Sequence, residues 1–177
     1  MKFRVKCYVM IVFWSSTMFF PRIIDATYFS EFQKFKNYYQ WLTFDEYTTV
    51  EYASKYFSVP VDKILAIIKS ESNGNPRAIS CVGARGLMQV MPIPEHYKGP
   101  ADDLYNVHLN IYCGTRYLKW CLQFTDNDFP RAIMAYNAGP YMKPQNYPKA
   151  LRENYLNKIV FNSIKTASLP RKHIEVE

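Results

Sequence analysis

The sequence predicts a single, mostly α-helical domain with long loops and little or no β-sheet. Apolar residues recur at helical spacing along most of the chain, whereas the alternating pattern of strands is nearly absent. A length of 177 residues suffices for one domain with its own core, but not comfortably for two. Hydrophobic residues at 49% and charged residues at 21% argue against wholesale disorder.

The N-terminus has the pattern of a targeting segment. Lys2, Arg4 and Lys6 make a basic start, and residues 7–20 form an apolar run that is short for a membrane-spanning helix. We expect a secretory signal or, because the residues before Ala26 fit the usual cleavage pattern badly, an uncleaved anchor that attaches the chain to a membrane. The expected location is outside the cytoplasm, in the periplasm or cell envelope.

The charge of the chain is modest once this segment is set aside. Residues 1–26 carry four basic residues and one acidic residue, so the net charge falls from +7 to +4 without them. A mildly cationic remainder suits an anionic polymer without requiring one. No Lys/Arg cluster is interleaved with the aromatic residues, so nucleic acid is not an expected partner.

The cysteines and histidines predict neither a metal site nor a dense disulfide framework. Cys113 and Cys121 lie eight residues apart in one predicted helix, which separates them by about 12 Å, too far for a disulfide. Any disulfide after residue 26 would therefore use Cys81. No CxxC or His-x-His spacing is present, so we expect no metal and no cofactor.

Several segments have the apolar spacing of amphipathic helices. The first places Phe29, Phe32 and Phe35 on one stripe, and "SVPVD" at 58–62 separates the second helix from the third. The predicted helices cover residues 28–41, 45–57, 61–72, 107–124, 129–137 and 148–165.

The third predicted helix ends with a glutamate on its apolar side. Glu71 follows Ile64 by seven residues and Ile67 by four, so it projects from the face that these residues share. Burial disfavours the charged form of a carboxyl and raises its pKa, which suits a general acid near neutral pH. The alternative is that the helix end frays and Glu71 is an ordinary solvated residue.

The loop after Glu71 is rich in glycine. Gly74 and the Asn75–Pro76 pair predict an abrupt helix end, because the residue before a proline is disfavoured in the α region. Gly83 and Gly86 permit a close approach to the main chain. We therefore expect a polymer to lie along this loop.

Three short blocks follow one another in the middle of the chain: "ESNGNPRAIS" at 71–80, "GARGLMQVMP" at 83–92 and "AYNAGP" at 135–140. Together they resemble the soluble-type lytic transglycosylases, which cleave bacterial peptidoglycan, in order and in spacing. The resemblance covers roughly residues 50–162 and implies a lysozyme-like helical domain with cleft-lining loops. The sequence departs from the family pattern at Gly74, where the family commonly has an aromatic residue.

The resemblance also implies roles for individual residues. Glu71 would be the catalytic acid and then the base, and Tyr136 would hydrogen-bond its carboxyl. Tyr155 resembles a late tyrosine of the family and is not counted among the predicted site residues. The residues that would line the sugar cleft are Ser80, Met88, Gln89 and Asn137.

The implied reaction cleaves the β-1,4 bond between MurNAc and GlcNAc and leaves 1,6-anhydro-muramyl ends. Ordinary glycosidases use two carboxylates, whereas the motifs supply one. Glu95, Asp102 and Asp103 are the other candidates, and their polar surroundings favour a solvated role. Two alternatives stay open: a goose-type-like lysozyme that uses water, and a non-catalytic cell-wall-binding assembly protein. A buried acid argues against the second.

Pattern and resemblance together divide the chain into a signal or anchor at 1–26, a helical extension at 27–49, a transglycosylase domain at 50–165 and a tail at 166–177. The expected partner is the peptidoglycan glycan strand. The small size favours a local cutter that serves a secretion, pilus or flagellar apparatus over general wall turnover.

Overall fold

The computed structural model describes residues 26–93, 96–141, 146, 149 and 155–167. Isolated bridges join Arg85 to Ile79 and to Val90, and the described residues contain no strand. The predicted mostly α fold class is confirmed. The helices are α1 (Ala26–Tyr38), α2 (Phe44–Phe57), α3 (Val61–Glu71), α4 (Val107–Phe124), α5 (Phe129–Ala138) and α6 (Asn157–Ala167), and a 3-10 helix (Ala101–Tyr105) lies between α3 and α4.

Capping side chains set where three of the helices begin. The Thr43 hydroxyl accepts the Glu46 backbone N–H at 3.2 Å, and the Glu46 carboxylate accepts the Thr43 N–H at 2.7 Å, which closes a capping box before α2. Asn106 and Asp128 cap α4 and α5 by accepting backbone N–H groups of the first turn. These local interactions explain why the starts predicted from periodicity lie so close to the observed ones.

Helix α3 is the centre of the core. Its residues 64–68 are all fully buried, which is the pattern of a helix enclosed on every side. It packs against α6 and α2, while α4 packs against α2 and α5. Helix α3, which ends at Glu71, is therefore held by the helix that precedes it and by the last described helix, α6.

The predicted N-terminal extension shares this core. Phe32 and Phe35 of α1 are buried and lie 5.7 and 5.5 Å from the ring of Tyr47 in α2. Helix α2 runs across the predicted boundary between residues 49 and 50. Extension and domain thus belong to one packed unit within the described residues.

The predicted signal or anchor and the tail after residue 167 lie outside the described residues. In the part of the chain that the structure describes, no helix combines the length and the apolar character needed to cross a bilayer. Cys81 is exposed and Cys113 and Cys121 are buried, and all three are free thiols. The described residues contain no group of three or more His, Cys, Asp or Glu side chains placed to hold a metal ion.

Candidate active site

Glu71, the last residue of α3, is part-buried and accepts a hydrogen bond from Tyr155. Burial has the largest effect on the Glu71 carboxyl and raises its pKa to about 7, while the Tyr155 hydrogen bond and the positive charge of Lys158 act to lower it. Both protonation states are therefore populated near neutral pH. This suits a group that first gives up a proton and then takes one back.

Tyr155 reaches Glu71 because its backbone leads directly into α6, which packs against α3. Burial raises the pKa of Tyr155 well above its usual value, so the hydroxyl keeps its proton and acts as the donor. The side chain of Asn137, at the end of α5, also hydrogen-bonds to Tyr155. Three elements thus meet around one carboxyl.

The predicted hydrogen bond between Tyr136 and Glu71 is wrong. The Tyr136 hydroxyl donates to the backbone carbonyl oxygen of Met88 at 2.8 Å, and a phenol has only one proton to donate. The side chains of Tyr136 and Glu71 interact through charge only: burial raises the pKa of Tyr136 well above its usual value, and the charge of Glu71 adds to this effect. Its hydroxyl fixes the 83–92 loop to α5, and Tyr155 supplies the bond to the acid.

The prediction that Met88 lines the sugar cleft is also wrong for its side chain, which is fully buried. Met88 packs against Gly114 of α4, where a Cβ would overlap it, and the Thr115 hydroxyl lies 3.8 Å from its sulfur. The apolar side chain fills the space that Gly114 leaves open. What Met88 contributes near the acid is its main-chain carbonyl group.

Ser80 and Gln89 are half-buried and act within the loop. The Gln89 amide Nε2 donates to the carbonyl oxygens of Ala78 and Gly86 at 3.2 and 3.0 Å. The Ser80 hydroxyl accepts the Ala84 N–H at 3.0 Å. These bonds hold the two arms of the loop together beside the end of α3.

Asn110, which was not predicted from the sequence, organises the same loop from α4. Its Oδ1 accepts the Met88 N–H at 2.8 Å, and its Nδ2 donates to the carbonyl oxygens of Arg85 and Leu104, each at 2.8 Å. Gly86, with φ +76, passes so close that a Cβ would overlap the Asn110 amide. The sequence signal that could have identified Asn110 is its place on the apolar face of α4, four residues before the buried Gly114.

A cleft of about 730 Å³ opens beside Tyr136 and Asn137. The Trp120 ring on its wall is 40% exposed and stacks on Tyr117, with 5.6 Å between ring centroids. Tyr141, at 84% exposure, lies on the wall of the same cleft. Aromatic faces beside polar groups suit a sugar ring, which has apolar faces and hydroxyl edges.

The other carboxylates considered from the sequence lie elsewhere. Asp102 and Asp103 are exposed on the 3-10 helix, where Asp103 accepts the Tyr97 hydroxyl at 2.8 Å and Asp102 lies 3.9 Å from Arg85. Glu95 lies outside the described residues. No carboxylate of the described part of the chain acts on the pKa of Glu71.

Known proteins resemble this chain over the region that contains the site. The Transglycosylase SLT domain family matches residues 48–157. A soluble lytic murein transglycosylase of Salmonella typhimurium is 42% identical over 87 residues, which are 43% of this chain and 13% of that protein. A transglycosylase of Enterobacteria phage PRD1 is 32% identical over 120 residues, which are 65% of this chain and 44% of that protein.

A solved structure resembles the fold. An inactive mutant of the lytic transglycosylase Slt from Pseudomonas aeruginosa matches with a TM-score of 0.58 and 24% identity over 68% of this chain and 23% of that chain. The chain thus spans less than half the length of each of these three proteins. Because the family match covers more than half of its 177 residues, the chain belongs to the Transglycosylase SLT domain family.

Proposed function

We propose that this chain is a peptidoglycan lytic transglycosylase that cleaves the β-1,4 bond between N-acetylmuramic acid and N-acetylglucosamine. The observation that carries the proposal is the state of Glu71, a part-buried carboxyl with a pKa of about 7. Such a group can donate a proton at neutral pH, whereas an ordinary glutamate is charged there. Family membership and the names of the relatives support the same reaction.

In the first step, protonated Glu71 donates its proton to the glycosidic oxygen as the bond from that oxygen to C1 of the muramyl ring breaks. The carbonyl oxygen of the 2-acetamido group bonds to C1. In the second step, the Glu71 carboxylate removes the proton of the 6-hydroxyl, whose oxygen attacks C1 and displaces the acetamido oxygen. The products are a 1,6-anhydro-muramyl end and a free 4-hydroxyl, and Glu71 is again protonated.

The surroundings of Glu71 support this route over hydrolysis. Ordinary glycosidases use a second carboxylate to activate water or to form a covalent intermediate, and within the described residues no carboxylate is among the groups that shift the Glu71 pKa. The substrate's own acetamido and hydroxyl groups replace it at a high effective concentration. Tyr155 and Lys158 stabilise the carboxylate that exists between the two steps.

The cleft supports a glycan strand as the substrate. Trp120 and Tyr141 offer exposed rings on its wall, and Asn137 places an amide beside them. Saccharides bind through this combination of stacking on apolar faces and hydrogen bonding to hydroxyl groups. We assign Trp120 and Tyr141 to contacts with sugars on the wall of the cleft.

Mass spectrometry of the muropeptides released from purified peptidoglycan tests the reaction. We expect 1,6-anhydro ends with the parent chain and none with Glu71→Gln. Reducing ends would instead identify a hydrolase of the goose-type-like lysozyme class. Sedimentation with peptidoglycan but no released product would identify a non-catalytic wall-binding protein.

We also propose that the chain acts in the cell envelope, because peptidoglycan lies outside the cytoplasmic membrane and residues 1–26 have the pattern of an export signal or anchor. Fractionation of cells that produce a tagged full chain tests this, and a wholly cytoplasmic chain would contradict it. Membrane attachment through residues 1–26 and association with a secretion, pilus or flagellar apparatus stay predictions.

A further inference from the structure

Trp41, in the turn after α1, packs against Gly74 in the loop that follows Glu71. A Cβ added to Gly74 would overlap the Cγ and Cδ2 atoms of the indole ring. Gly74 also has φ +80, a conformation that favours glycine. The indole ring of Trp41 thus occupies the space that a side chain at position 74 would need, and Trp41 lies before the residues matched by the family, 48–157.

The end of α1, next to Trp41 in the chain, contacts α6. The Tyr38 hydroxyl donates to Asn162 Oδ1 of α6 at 3.3 Å. The ring of buried Tyr39 lies 4.6 Å from Tyr38 and 5.6 Å from Trp41, so the three side chains form a continuous aromatic group. We call residues 38–41 the aromatic turn.

The aromatic turn thus joins the two parts between which the acid is held. One part is the loop after Glu71, where the Ser72 hydroxyl accepts the Gly74 N–H at 3.1 Å and donates to the Ile68 carbonyl oxygen at 3.2 Å. The other part is α6, which begins two residues after Tyr155 and contains Lys158. A change in the aromatic turn should therefore alter the distance between Glu71 and its two partners.

We propose that the catalytic unit extends beyond the family match to the aromatic turn, and that Trp41 is a positioning residue that holds Glu71 in register with Tyr155 and Lys158. The proposal rests on the proposed role of Glu71 as the acid. Trp41 acts by shape, because its Nε1 is buried and has no hydrogen-bond partner among the described residues. An aromatic ring without the N–H should replace it.

The test compares Trp41→Ala, Trp41→Phe and Phe35→Ala in the full chain. We expect Trp41→Ala to lower kcat on peptidoglycan about tenfold or more with little change in KM, since small misplacements of catalytic groups cost one to two orders of magnitude. We expect Trp41→Phe to keep kcat within about threefold. Phe35→Ala is the matched control, because Phe35 is buried and packs on Tyr47 of α2, and neither residue is among the groups that act on the Glu71 pKa.

The pH dependence separates positioning from stability. If Glu71 moves away from Tyr155, their hydrogen bond weakens and the Glu71 pKa in Trp41→Ala should rise. The fall of activity at high pH should then move to higher pH. Phe35→Ala should lower the Tm and leave the pH profile in place. A Trp41→Ala chain with a lowered Tm but an unmoved profile and parental kcat would overturn the proposal.

Two further measurements apply if Trp41→Ala does not fold or if the chain has no lytic activity. If Trp41→Ala does not fold, Trp41→Leu and Tyr38→Phe decide, and unmoved profiles in both would overturn the proposal. NMR titration of the Glu71 carboxyl in the parent and in these variants requires no turnover. A chain without lytic activity whose Glu71 pKa still responds to Trp41 would refute the proposed function and retain the role of the aromatic turn.

Discussion

The Tyr155 hydroxyl donates a hydrogen bond to the Glu71 carboxyl, although 84 residues separate the two in the chain. The bond forms because α3, which ends at Glu71, packs against α6, which begins after Tyr155. It opposes the effect of burial on the acid and contributes to a pKa of about 7. The pH dependence of activity and of stability should therefore report on this one contact.

Replacing the acid itself should strongly lower turnover and change how stability depends on pH. Glu71→Gln should lower activity by about two orders of magnitude or more. Folding raises the carboxyl pKa from 4.5 to about 7, so the parent binds more protons when folded and loses stability as the pH rises through this window. The variant lacks this loss, and its stability relative to the parent should increase by up to about 3 kcal/mol between pH 4 and pH 8.

Urea unfolding of both proteins at the two pH values measures this difference. A stability difference that does not change between them would mean that Glu71 keeps the pKa of a solvated glutamate when the chain folds.

Tyr155→Phe should move the high-pH fall of activity upward by about one to two pH units. The substitution keeps the ring but removes a donor to the charged form of Glu71, and a hydrogen bond to a charged group is worth about 1.5–3 kcal/mol. Turnover of peptidoglycan against pH gives the shift. Tyr97→Phe is the matched control, because Tyr97 donates to the exposed Asp103 at 2.8 Å and should leave the profile unmoved.

Tyr136→Phe should weaken the fold and leave the pH profile in place. The variant leaves the buried carbonyl oxygen of Met88 without its donor, which costs about 1–3 kcal/mol in the free energy of unfolding. Glu71 loses no hydrogen bond. Denaturant unfolding and the pH–rate profile test the two parts, and a profile shift as large as that of Tyr155→Phe would contradict the assignment of the two tyrosines.

The sequence was informative about helices and about the acid, because both depend on local patterns. The apolar period and the capping residues locate α2, α4 and α5 closely, and the helix face of Glu71 indicated burial. The partners of Glu71 could not be assigned in this way. Two tyrosines from different elements lie near it, and which of them donates depends on packing between distant segments.

The contact between Trp41 and Gly74 was missed for the same reason. A glycine after a helix is adequately explained by its backbone conformation, so the sequence contains no sign that a ring from another segment also lies there. Asn110 is different, because an amide on an apolar helix face is a readable signal of a buried hydrogen-bond network.

Asn110→Leu should destabilise the protein by about 3 kcal/mol, since three hydrogen bonds to main-chain groups are lost and those groups remain buried. The Met88 loop should also lose its position, so activity should fall with stability. Thermal unfolding measures the change. Gln123→Ala, an exposed amide on the same helix, is the control, and an equal effect in both variants would refute the role of Asn110.

Trp120→Ala should raise KM for peptidoglycan about three- to tenfold and change kcat little. The ring lies on the wall of the cleft, and loss of one aromatic stacking contact corresponds to about 0.5–1.5 kcal/mol. Tyr52→Ala is the control, because Tyr52 is similarly exposed but lies on α2, outside the lining of this cleft. Equal KM values for Trp120→Ala and Tyr52→Ala would show that the cleft wall does not contribute to substrate binding.

The packing of α3 against α6 also bears on the synthesis of the chain. A ribosome completes Glu71 and the loops beside it long before it adds Tyr155, Lys158 and the fully buried Ile159. Contacts between segments so distant in sequence form late in folding, because a long loop must first be closed. The acid therefore obtains its hydrogen-bond donor only after translation has passed α6, and an incomplete nascent chain contains the glutamate without the surroundings that make it an acid.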